Sequence, residues 1–137
     1  MHHPKLDEVV RRDPRYALEA YEFVRVALAH TQRMLGRVPP HEGAGERDHH
    51  VTGPQLLEGV RDLALREFGL MARTVFRNWG INCTADIGEI VFNLVAANLM
   101  KKTAEDSRDD FRDVYDLDQV LERDYRIEVK TEGEDEP

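Results

Sequence analysis

The chain has 137 residues, 19 basic and 27 acidic side chains, and a formal net charge of −8 at pH 7. That length suits one domain whose core stands without a disulfide or metal, since folding near this size buries roughly two thirds of the unfolded surface. A single cysteine, Cys83, excludes an intrachain disulfide, and the acidic surplus argues against a broad nucleic-acid surface.

Met1-His2-His3-Pro4 runs into charged sequence with no apolar stretch, so no secretory signal is expected and the expected compartment is the cytoplasm. Residues 5–12 predict a short first helix, closed off by Pro14. Residues 15–35 predict a long one, with an apolar stripe through Ala20, Tyr21, Val24, Ala27, Leu28 and Leu35. Gly36 and the Pro39-Pro40 pair stop it. Residues 37–51, RVPPHEGAGERDHHV, predict a long mobile loop that carries His41, His49 and His50.

Residues 52–103 form the most apolar and most periodic stretch, and the rest of the chain is organised around them. Thr52 and Gln55 have capping-box spacing, and Pro54 is tolerated in a first turn whose N–H groups lack partners. A 3.6-residue period then predicts one helix over 53–79, with Gly69 as a candidate kink. Trp79-Gly80-Ile81 reads as its stop, with Gly80 left-handed and Ile81 folding back. A second helix starts at Thr84 or Asp86, where Asp86 and Glu89 have cap spacing, and runs over 85–101. IGEIVFNLVAANLM is apolar on nearly every side, which marks the buried central helix of a core. It is too short and too interrupted to span a bilayer, which needs about 20 apolar residues. Asn93, in its midst, needs hydrogen-bond partners; capping a neighbouring segment is the preferred role, a register device between subunits the other. Trp79 reads as a core anchor before an interface residue.

Beyond residue 103 the pattern weakens. Ser107 is placed to cap a short turn running to Val114, and Leu117, Val120 and Leu121 suggest another. Tyr125, Ile127 and Val129 alternate with charges, as a short strand or extended arm does. Residues 103–137 hold 5 basic and 14 acidic side chains and so the whole negative surplus. Residues 131–137 are expected to be a disordered acidic tail beyond a single helical domain of residues 1–130.

The stretches AYEFVRVAL (20–28), HVTGPQLLEG (50–59), FGLMARTVFRNWGI (68–81), GEIVFNLV (88–95) and KTAEDSRDDFRDVYD (102–116) resemble a family of short conserved hypothetical proteins from planctomycete and verrucomicrobial bacteria. The resemblance covers most of residues 16–117 in the same order. It implies a cytoplasmic bacterial protein and brings no activity, cofactor or catalytic residue.

Two helices around a turn at Gly80–Thr84 invite comparison with a helix-turn-helix. The second helix, however, offers Ile, Val, Phe and Leu where base readout needs Arg, Lys, Asn or Gln. No two histidines have the i, i+4 spacing of a helical zinc site, and Asp109, Asp110, Asp113, Asp116 and Asp118 lack the glycine and terminal glutamate of a calcium loop, so no metal or other cofactor is expected. Cys83 before a helix N-terminus, His50 as base and Asp86 as orienting acid make an enzyme site conceivable, yet no spacing brings them together. There is no phosphate-binding glycine loop and no nucleophile elbow.

The expected fold is therefore all-α: one compact domain of four to six helices around a buried central helix, with an acidic C-terminal arm. The expected function is non-enzymatic, an adaptor that binds a basic protein partner through Asp109, Asp110, Phe111, Asp113, Tyr115 and Asp116. The alternatives are a small regulator that contacts nucleic acid through the arginine-bearing face of the 53–79 helix, and an enzyme around His50, Cys83 and Asp86. A homodimer is compatible with the wide apolar stripes.

Overall fold

The computed structural model describes residues 4–36, 51–100 and 108–123. Among the described residues there are five α-helices and no strand: α1 (Pro4–Arg12), α2 (Leu18–Met34), α3 (Gly53–Phe68), α4 (Ala72–Asn78) and α5 (Thr84–Ala96). Short helical turns at Gly69–Met71, Arg108–Phe111 and Gln119–Arg123 complete the set. The expected all-α domain is what the chain forms. The loop histidines His41, His49 and His50, the arm at Tyr125–Val129 and the tail lie outside the described residues.

Helix α2 starts three residues later than its period implies. Asp13 grips Arg15 with two hydrogen bonds, at 2.8 and 2.7 Å, and so fixes the turn after Pro14. The backbone N–H of Ala17 is spent on Trp79 O at 3.1 Å, outside any helix. This leaves Tyr16 before the helix as a buried anchor, 1% exposed.

The predicted 53–79 helix is broken. Its start is as expected: Gln55 N–H donates to Thr52 Oγ1 and Thr52 N–H to Gln55 Oε1, at 3.2 and 3.0 Å. At Gly69 the backbone turns to φ 53°, ψ −130°, which a residue with a Cβ rarely adopts, and a single 3-10 turn leads into α4. Apolar periodicity survives the break, because α3 and α4 face the same core. The stop after α4 is a Schellman motif: Gly80 at φ 92° donates to Arg77 O, and Ile81 N–H reaches Phe76 O at 2.8 Å.

Helix α5 begins at Thr84 with Cys83, not Asp86, at its N-cap. Asp86 sits at the third helical position and reaches back, accepting from the N–H groups of Asn82 (2.8 Å) and Cys83 (3.2 Å). The helix ends five residues short of the expected 101. Asn98 takes φ 61°, Asn98 N–H donates to Val95 O and Leu99 N–H to Leu94 O, a second Schellman stop built on Asn.

Ile87, Ile90 and Leu94 of α5 are fully buried against Tyr16 and Tyr21, Leu57 and Val60, and Phe76 in one hydrophobic cluster. Helices α2 and α3 lie close because Gly59 leaves room for Thr31; a Cβ there would fall 1.7 Å from Thr31 Oγ1. No helix among the described residues is long and apolar enough to cross a membrane.

Candidate functional site

The C-terminal segment returns to the helices and is held there by residues of opposite character. Phe111 is 2% exposed. Its ring enters a notch between Gly53 and Gly88, where an added Cβ would meet it at 3.2 and 2.7 Å, and lies edge-on to Phe92. Thr84 Oγ1 donates to Phe111 O at 2.6 Å and accepts from Val114 N–H at 3.2 Å. Tyr115 Oη donates to Leu57 O at 2.7 Å, and burial, then the charge of Glu58, pushes its phenol above the ordinary range. Leu117 and Leu121 are buried beside them.

This corrects one member of the predicted binding set. Phe111 is a core residue, wedged where glycines leave space, and offers no surface to a partner. Tyr115 is half-buried with its hydroxyl committed to the α3 backbone. Asp110 is half-buried and Asp113 and Asp116 are exposed, while the side chain of Asp109 lies outside the described residues.

Asp113 takes φ 50°, a left-handed conformation that aspartate tolerates. Asp116 Oδ1 accepts from Gln119 N–H at 3.2 Å and so caps the last turn. Sequence reasoning missed Asp118 as a lining residue. Its Oδ1 accepts from the nearly buried Arg73 Nε at 2.6 Å and lies 4.0 Å from Arg77 Nη2. Arg73 Nη1 also donates to Ile81 O, so this guanidinium ties the C-terminal turn to the α4–α5 connection. The available signal was an arginine on the apolar side of a predicted helix.

Between these elements lies a cleft of about 340 Å³, lined by Asn82, Cys83, Tyr115 and Leu117 and by the three aspartates 113, 116 and 118. No basic side chain among the described residues lines it. Among the described residues no group of three or more His, Cys, Asp or Glu is placed to hold a metal ion.

Of the predicted enzyme constellation, the described residues hold Cys83 and Asp86 in contact, with Cys83 Sγ donating to Asp86 Oδ2 at 3.6 Å. Asp86 is consumed locally: Tyr16 Oη donates to its Oδ1 at 2.7 Å and two backbone N–H groups to its Oδ2. It orients a helix cap, and His50 lies outside the described residues. The arginine face of the 53–79 segment is divided. Arg73 is 6% exposed, Arg66 pairs with Asp62 at 2.7 Å, and Arg77 stands beside Asp118. His30 Nε2 is also paired with Asp62, at 2.7 Å.

The chain matches no protein-family model, no curated protein and no solved structure.

Proposed function

We propose that the chain is a non-enzymatic, cytoplasmic interaction protein that takes a basic partner on its acidic C-terminal face. The observation that carries this reading is the acid-lined cleft. Asp113 and Asp116 project from a turn whose backbone is pinned by Phe111, Thr84 and Tyr115, so their carboxylates are presented by a rigid mount. Such preorganisation lowers the ordering cost that a partner meets on binding. The cleft is open to a lysine or arginine side chain, and the 14 acidic side chains of residues 103–137 favour the approach of a cationic surface. Arg73 and Arg77 balance Asp118, so Asp113 and Asp116 carry the attraction.

The test is a pull-down with the full chain, with and without nuclease, read by mass spectrometry. A stoichiometric, nuclease-resistant partner is expected, lost at raised salt and in Asp113→Asn/Asp116→Asn. Asparagine accepts a left-handed backbone and keeps the cap on Gln119, so this variant removes charge and spares the fold. A partner retained by the double variant, or one released by nuclease, would defeat the proposal.

A further inference from the structure

A second surface lies on other residues and owes nothing to the acidic cleft. Four aromatic rings, Phe23, Phe68, Phe76 and Trp79, meet where α2, α3 and the end of α4 converge, with centroids 5.5–5.9 Å apart. Phe23 and Phe76 are buried in the core, whereas Phe68 and Trp79 are half-exposed and form its outer face. Together with Phe23 and Val26, itself 46% exposed, they floor an open groove of about 290 Å³. Among the described residues, the charged ones lining it are all acids: Glu19 and Glu22 on the α2 wall and Glu67 on the α3 wall.

Glu22 adds a second feature. Its Oε2 is shielded from solvent and accepts no hydrogen bond among the described residues; Arg25 Nη1 stands 3.5 Å away without the geometry of one. The pair with Arg25 holds the Glu22 carboxylate on the α2 wall.

We infer that this groove docks an amphipathic helix of a partner protein, apolar on one face and flanked by lysine or arginine on both sides. The groove follows α2 from Leu18 to Val26, about 12 Å of helix at 1.5 Å per residue, which matches two turns of a partner with anchors at i, i+3, i+4 and i+7. Charge decides against the other occupants. A second copy in a twofold dimer sets the same patch against itself, glutamates facing glutamates. An anionic lipid surface or a nucleic acid meets the same repulsion. A helix with cationic flanks pairs with both acidic walls and fills the aromatic floor.

Trp79 is the chain's single tryptophan and stands in the groove, so the full chain carries its own reporter. It is titrated with a 14-residue helical peptide that has Leu at i, i+3, i+4 and i+7 positions and Lys elsewhere, and with the same peptide carrying Glu for Lys. The Lys peptide is expected to shift Trp79 emission to the blue with saturable binding on the order of micromolar Kd. The Glu peptide produces no shift. Val26→Glu, at an exposed site, weakens binding by about tenfold or more, and Glu19→Gln/Glu67→Gln lowers both the affinity and its dependence on salt. Asp113→Asn/Asp116→Asn leaves it unchanged, which separates this surface from the acidic cleft. Circular dichroism of each variant confirms the fold. Equal binding of the two peptides, or undiminished binding by Val26→Glu, overturns the inference. So does a dimer in sedimentation that Val26→Glu dissolves, because a second copy then covers the groove.

Discussion

Asn93 is the polar residue that an apolar helix has to explain. Its Nδ2 donates to Asp13 Oδ2 at 2.7 Å and lies 3.1 Å from the hydroxyl of Tyr21, which in turn donates to Asp13 O. The amide thus ties α5 to the turn before α2 through side chains, rather than by capping backbone groups of a neighbouring segment as expected. Removing it in Asn93→Ala leaves Asp13 and Tyr21 short of a partner, and denaturant unfolding should show a loss of about 1–3 kcal/mol. Asn93→Asp should cost more at neutral pH, because it sets a second carboxylate beside Asp13. The same site makes stability depend on pH. The Arg15 guanidinium above all, aided by Asn93, holds the Asp13 carboxyl down to about 2 from an ordinary 3.8. The folded state therefore binds this proton less readily than the unfolded chain does. The contribution is complete above the ordinary value and is lost as pH falls toward 2. Urea titrations between pH 5 and 2 should show the native chain losing more stability than Asp13→Asn; parallel curves would refute the linkage.

Helix ends, rather than helix interiors, decided where reading the sequence went astray. The Thr52 box and the Gly80 stop were legible because each uses the residue type the geometry demands. At Gly80 two demands coincide: φ is 92°, and an added Cβ would lie 2.1 Å from Arg15 O. Gly80→Ala should therefore cost at least about 2 kcal/mol and lower the melting temperature accordingly. The end of α5 was illegible because asparagine fills the left-handed position that glycine usually marks. At φ 61°, Asn98→Gly should be neutral or stabilising by up to about 1 kcal/mol, whereas the β-branched Asn98→Val should destabilise by about 1–2 kcal/mol. Thermal melts of the pair, with opposite signs expected, test the assignment. The break at Gly69 was visible only as a candidate kink. Apolar spacing reports which face meets the core, and that face is shared by α3 and α4, so periodicity passed through the turn unmarked.

At the scale of the whole molecule, the described C-terminal turns belong to the core although their composition advertises a surface. Acidic neighbours on both sides of Phe111 made it look like part of an exposed recognition strip. What buries it is distant in sequence: the Gly53 and Gly88 notches, and Thr84 holding its carbonyl. No local pattern encodes such an agreement among three segments, whereas the buried face of α5 was plain from its composition. The consequence is a coupling between stability and presentation of the acidic cleft. Phe111→Ala empties the notch and should cost about 3–5 kcal/mol, while Phe111→Leu, which keeps most of the volume, should cost under about 1.5 kcal/mol. If the C-terminal turns fold as one unit with the helices, Phe111→Ala lowers the melting temperature in a single transition followed alike by Trp79 emission and by far-ultraviolet dichroism. Were the segment instead an appended arm, limited proteolysis would remove it from Phe111→Ala while the melt reported by Trp79 stayed near that of the native chain. Phe111→Leu then reads function apart from stability. It stays folded but loosens the mount of Asp113 and Asp116, so capture of a basic partner at the cleft should weaken while peptide binding at the Trp79 groove persists.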